Sequence, residues 1–156
     1  MLIQLLKVSL AALTVLFIAL QFSQPAKTNP ASDPALALQV HTQVPTNVVA
    51  IFDRACRDCH TNETSWPWYS RIAPVSWLVA DDVRIGRQQM NFSEWGRYSA
   101  RQVENKLEEI CAEVQAEAMP PKKYVLAHSQ AKLTTDDVKA ICVWTVAEQQ
   151  RLAALK

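Results

Sequence analysis

Hydrophobic and polar positions divide the 156-residue chain into three parts. Residues 2–22 are almost wholly apolar, broken by Gln4, Lys7, Ser9, Thr14 and Gln21. A helix of about 20 apolar residues crosses a bilayer. The positive charges, the amino terminus and Lys7, precede the run, which favours a cytoplasmic N terminus. No A-x-A-like cleavage site follows, because the chain continues Gln21-Phe22-Ser23-Gln24-Pro25. A retained signal anchor is therefore favoured over a cleaved signal peptide for residues 1–22. Residues 23–45 carry Pro25, Pro30, Pro34 and Pro45 among polar residues. They read as a semi-extended Pro-rich linker, with at most a short helix from Pro34 to His41. From residue 46 to 156 the apolar positions recur at helical spacing and define one domain.

Within that domain roughly five helices are expected, of which four can be placed. Thr46 or Asn47 caps the first, and Val48, Val49, Ile51 and Phe52 give it an apolar face that runs into Cys56. A second spans Ser76 to Met90. A third carries Val103, Leu107, Ile110, Cys111 and Val114 on one face and stops at Met119-Pro120-Pro121. The last starts within Leu133-Thr134-Thr135-Asp136-Asp137, with a Thr cap and acids in its first turn, then repeats Val138, Ile141, Cys142, Thr145 and Val146. It is expected to pack on the helix that precedes Cys56. Val125 to Ser129 reads as a loop.

Composition narrows the function. There are 2 Gly, against a Gly-rich phosphate loop, and net charge is +1, without the basic footprint of a nucleic-acid binder. The carboxylates, Glu63 among them, show no paired arrangement suited to acid–base catalysis. What stands out is Cys56-Arg57-Asp58-Cys59-His60, a C-x-x-C-H sequence of the type that attaches haem c. Each thiol can bond one haem vinyl group, and the adjacent His can ligate the iron. The same Cys pair also fits a zinc half-site or a thioredoxin-like redox pair. Zinc wants a second ligand pair, and Cys111 and Cys142 are too far apart in sequence to be a C-x-x-C half-site. A thioredoxin reading wants βαβ strands, and none is predicted. Cys111 and Cys142 read either as a disulfide or as buried free thiols.

The sixth iron position has several candidate ligands: Met119, His128, Met90 and His41. Met119, on a stiff turn before two prolines, suits the role best. His128 is the alternative; Met90 reads as core and His41 as an exposed linker residue. Arg84, Arg87, Tyr124 and Trp95 are candidate partners of the haem propionates. Lys122 and Lys123 are candidates for steering an acidic partner. A backbone carbonyl near Pro74 is the expected hydrogen-bond partner of the second His60 nitrogen.

The run CRDCHTNETSWPWYSRIAPVSWLVADDVRIGRQQMNFSEW, then AMPPKKY and a closing helix, resembles the bacterial haem-binding domain family of exported proteins. The resemblance extends from Asn47 to Ala147. It implies an all-α, cytochrome c-like domain wrapped around one covalently attached haem c, behind a single N-terminal membrane helix. It implies His60 as the proximal and Met119 as the distal ligand. The expected function is electron transfer with a redox partner protein and no enzymatic step. The expected location is the bacterial inner membrane with the haem domain in the periplasm, or the periplasm itself if the N terminus is cleaved. The alternative is a haem-based gas or redox sensor, or a peroxidase-like enzyme, with a displaceable sixth ligand.

Overall fold

Backbone hydrogen bonding within helices organises the whole chain. The computed structural model describes residues 1–155, and no strand occurs among them. Helix α1, Leu2–Gln21, is apolar throughout and buries none of its residues. Residues 22–45 follow without a long helix. They turn at Pro34–Leu36, where the Asp33 side chain accepts from the Ala35 N–H at 2.9 Å, and form the short α2, Leu38–His41.

The stretch read as a linker is laid onto the domain. Leu38 is fully buried in the main core, and Thr42 is buried beside it. Arg87 donates to the Thr28 carbonyl at 2.9 Å and to the Asn29 side-chain oxygen at 3.1 Å. Pro-rich sequence forbids a long helix here, but it does not forbid docking, and one apolar side chain at residue 38 suffices to pin the segment.

Helix α3, Thr46–Ala55, buries Val48, Ile51, Phe52 and Ala55, the face its apolar spacing predicts. It breaks at Cys56, and α4, Arg57–His60, carries the rest of the C-x-x-C-H motif. A 3₁₀ turn, Trp68–Arg71, leads into α5, Val75–Gln89; another, Phe92–Arg97, leads into α6, Ala100–Gln115. Helix α7, Lys122–Ala127, starts directly after Pro121 and takes in Val125 to Ala127, the first part of the stretch read as a loop. A proline at the N-terminal boundary costs a helix no hydrogen bond, so a single turn and a half can form there. Helix α8, Thr135–Ala153, closes the chain.

Both long C-terminal helices open with a capping box, Ser99 with Gln102 and Thr134 with Asp137. Each such cap satisfies backbone N–H groups that would otherwise lack partners, and removing one costs about 1 kcal/mol. Helices α6 and α8 pack together along their length and are joined by a Cys111–Cys142 disulfide, with the Cα atoms 4.8 Å apart. As the sequence predicts, α8 also packs on α3. There the Trp144 ring meets the Phe52 ring edge-on at 5.4 Å. Phe92 and Trp95 complete an aromatic core with Leu107, Ile110 and Ile141. Burial of a side chain such as Leu107 contributes roughly 2 kcal/mol, so this cluster fixes α3, α6 and α8 around the motif.

Candidate functional site

The motif lies between three supports. On one side is the aromatic core. The His60 ring stacks against Phe92 at 5.8 Å with the planes 28° apart. On a second side is α5. A Cβ added at Gly86 would lie 2.6 Å from the Cys59 carbonyl oxygen, so only glycine lets α5 approach the motif this closely. The third support is a polar clasp after the motif. The Asn62 N–H donates to Ser93 Oγ at 3.0 Å, and Asn91 Nδ2 donates to Asn62 Oδ1 at 2.8 Å.

That clasp brings the residue before Asn91 to the imidazole. His60 Nδ1 and the Met90 carbonyl oxygen are 2.9 Å apart. A carbonyl can only accept, so Nδ1 carries the proton and the Nε2 lone pair is left free. The expected partner near Pro74 is not used, because the loop after α5 reaches the ring instead. Burial holds the His60 pKa below its ordinary value, against the opposing hydrogen bonds to the Met90 and Gly86 carbonyls. The ring is thereby kept neutral, the form that binds metals.

The two thiols are unlike those of a redox pair. Burial first, then Cys59, pushes the Cys56 thiol up to about 12. Burial first, then Asp82 and Asp58, pushes Cys59 up to about 11. Reactive C-x-x-C thiols have lowered values and sit on a βαβ frame, whereas these are pushed up and no strand occurs among the described residues, which argues against a thioredoxin-like reading. The disulfide between Cys111 and Cys142 removes the other two cysteines as zinc ligands.

Cys56, His60 and Met119 line one cavity of about 420 Å³, together with Phe52, Met90, Phe92, Ile110, Val114, Gln89, Glu109 and Glu113. Cofactor pockets are concave, mainly apolar and of roughly this volume. Cys59 does not line this cavity; it is half-buried on the adjacent turn, against Gly86.

Met119 is carried there by the end of α6. Glu117 adopts a left-handed conformation with φ 54°, and its N–H donates to the Val114 carbonyl at 3.3 Å. The Glu113 carbonyl accepts from Ala118 at 3.0 Å and from Met119 at 3.2 Å. This is a Schellman turn, usually built with glycine. It satisfies the last carbonyls of α6 and fixes the backbone of Met119.

The other candidates go elsewhere. His128 stacks on Tyr124 at 4.2 Å and meets the Tyr69 hydroxyl at 3.3 Å, away from the cavity. His41 Nε2 lies 2.9 Å from the Ala35 carbonyl oxygen. Trp95 is buried in the core, Tyr124 donates to Asp58 at 2.9 Å, Arg84 pairs with Asp81, and Arg87 holds residues 28–29 and 61–64. None of these four lines the cavity. Gly86 and the Met90 carbonyl were missed by sequence reasoning. The only signal for Gly86 was its place in the middle of a predicted helix in a chain with 2 glycines.

One family profile, described as a haem-binding domain, matches residues 15–147. The chain belongs to the haem-binding domain family. The match runs from the second half of α1 into α8 and so includes the cavity and all its lining residues. Neither a curated protein nor a solved structure matches the chain. As a member of the haem-binding domain family, the protein is a haem protein. An apolar cavity beside a neutral imidazole with a free Nε2 fits that group.

Proposed function

We propose that this protein is a membrane-anchored c-type cytochrome that transfers electrons. In this reading Cys56 and Cys59 hold one haem c covalently, and His60 and Met119 are its axial ligands. The observation that carries the proposal is that Cys56, His60 and Met119 line one cavity, although α5 and α6 separate Met119 from the motif in sequence. When bound, haem supplies a one-electron iron couple.

The protein's own residues then have distinct tasks. The Cys56 and Cys59 sulfurs would hold the haem by adding across its two vinyl groups, each thiol giving its sulfur to one vinyl carbon and its proton to the other. His60 presents Nε2 in a fixed tautomer, because Nδ1 is committed to the Met90 carbonyl. Met90 also lines the cavity, and its carbonyl is the partner of His60 Nδ1. Met119 supplies a thioether, and Met/His ligation raises the reduction potential. Lys123 is paired with Asp82 at 2.8 Å, while Lys122 stands beside the Met119 turn as a cation for steering an acidic redox partner.

Helix α1 acts as a retained anchor in the bacterial inner membrane. It is 20 residues long with a mean hydropathy of 2.2 in its most apolar window, and the domain that follows it stands in the periplasm.

One observation favours the second reading, a haem-based sensor with a displaceable ligand. Met119 is 37% exposed and also borders another cavity of about 530 Å³ lined by Lys122, Val125, Leu133 and Val138. Carbon monoxide separates the two. The absorption spectrum of the reduced, haem-loaded protein is recorded before and after the gas is added. A sharp low-spin spectrum that stays unchanged supports electron transfer. A rapid shift to a carbonyl complex overturns it in favour of sensing. Acid extraction that removes all haem from the wild type overturns covalent attachment.

A further inference from the structure

The end of α1 is bonded to the domain. Gln21 lies in the last turn of α1, and its side-chain amide clasps both backbone groups of one residue. The Ala73 N–H donates to Gln21 Oε1 at 3.0 Å, and Gln21 Nε2 donates to the Ala73 carbonyl at 3.4 Å and to Phe17 at 2.9 Å. Two residues later the Ser23 carbonyl accepts from Trp77 Nε1 at 2.6 Å. Ala73 is fully buried. The family match itself begins inside α1, at residue 15.

The residues around this clasp are apolar and face outward. Trp68 is 75% exposed, Leu78 55%, Val75 40% and Ile72 38%. They come from the 3₁₀ turn and first turn of α5 that flank Ala73. Arg71 is exposed among them. Apolar side chains with a Trp and a cation, gathered at the mouth of an apolar helix, match the boundary between lipid headgroups and acyl chains.

We propose that the face bearing Trp68, Ile72, Val75 and Leu78 rests on the lipid surface around the exit of α1, oriented by the Gln21–Ala73 clasp. The inference rests on α1 being retained as a membrane span. Any group within hydrogen-bonding distance of the last turn of a spanning helix lies at the interface. Burying the patch there removes apolar area from water, at about 25 cal/mol per Å². The domain is then held at two points, by the helix and by this face, and cannot swing freely on a tether.

The test uses the full, haem-loaded chain in phospholipid vesicles that carry a lipid-borne carbene photoprobe, with labelled peptides located by mass spectrometry. Val143 and Val146 on α8 are the control, being 61% and 50% exposed on a helix that packs on α3 and α6. The expected result is label in α1 and in the 68–78 peptide, with none on the α8 control. Trp68→Ser with Leu78→Ser, both at exposed positions, should abolish the 68–78 label while α1 stays labelled. Gln21→Leu should lower it in the same way by releasing the clasp. Label in α1 alone overturns the seated face and leaves the anchor standing. Equal label on the α8 control also overturns it, as unspecific adhesion. A mature protein whose mass lacks α1 overturns both the anchor and this inference.

Discussion

Gly86 of α5 lies so close to Cys59 that a Cβ at position 86 would sit 2.6 Å from the Cys59 carbonyl oxygen and 3.0 Å from the Cys59 Cβ. Both obstacles are main chain or next to it, so neither can swing aside. Gly86→Ala should destabilise the domain by about 1–3 kcal/mol through overpacking, although alanine is the better helix former. Thermal unfolding reads the loss. Covalent haem yield should fall with it, because the displaced α4 carries Cys59 and His60. An unchanged melting temperature would show that α4 and α5 do not pack this closely.

Met119→Ala should leave haem attached and lower the reduction potential, since the thioether that raises it is gone. A redox titration checks this, and an unchanged potential rejects Met119 as the ligand. The same variant should bind carbon monoxide rapidly when reduced.

Glu117→Gly should stabilise the protein by about 1 kcal/mol. A side chain in the left-handed region costs roughly that much, and glycine does not bear the cost. Glu117 is exposed, with φ 54°, and closes the turn that holds Met119. Chemical denaturation measures the gain, and the potential should stay where it is because the turn geometry is preserved.

Replacing Cys111 and Cys142 by Ser should lower stability by about 3 kcal/mol, the scale expected for a cross-link between residues 31 apart. The haem spectrum should persist, because neither residue lines the cavity. Loss of the spectrum at temperatures where the variant is folded would show that the bridge acts on the site itself.

Asp137 links stability to pH. Burial raises its carboxyl pKa, but hydrogen bonds from Arg54 and Thr134 outweigh this and hold it below the ordinary value. Arg54 Nη2 lies 2.6 Å from Asp137 Oδ2, tying α3 to the start of α8. A depressed folded-state value means the stabilisation is complete above the unfolded-state pKa and is lost as pH falls through the folded one. Arg54→Leu should therefore move the midpoint of acid unfolding to higher pH, monitored by circular dichroism. An unmoved midpoint would mean that the pair contributes nothing.

Local features of this protein were legible in the sequence. The C-x-x-C-H motif, the Thr cap of α8 and the apolar face of α3 each depend on neighbouring residues, and each stands where its pattern places it; α6 instead ends at Gln115, turned by the left-handed Glu117 before Met119 and the prolines are reached. The convergence of Met119 on the Cys56 cavity was legible only through residue type and a rigid turn. Backbone partners were not legible. The Met90 carbonyl displaced the expected carbonyl near Pro74, because every residue owns a carbonyl and only tertiary packing selects one. Residues 23–45 hid their docking for a similar reason. One buried leucine, Leu38, and a few hydrogen bonds to Arg87 leave no periodicity to read. The propionate candidates Arg84, Arg87, Tyr124 and Trp95 do not line the cavity; the first three have other hydrogen-bond partners and Trp95 lies in the core.

The clasp at Ala73 and the contact at Gly86 stand at the two ends of one helix, and that makes α5 a ruler. At 1.5 Å per residue, the distance along it from Ala73 to Gly86 is about 20 Å. With α1 in a bilayer, the motif therefore stands no more than about 20 Å above the clasp at the membrane surface, whatever the tilt of the domain. A freely tethered carrier would sweep a volume in search of its partner. A domain seated on the membrane as proposed would instead keep its haem within a shallow layer, and an electron-transfer partner would have to present its own redox centre inside that layer.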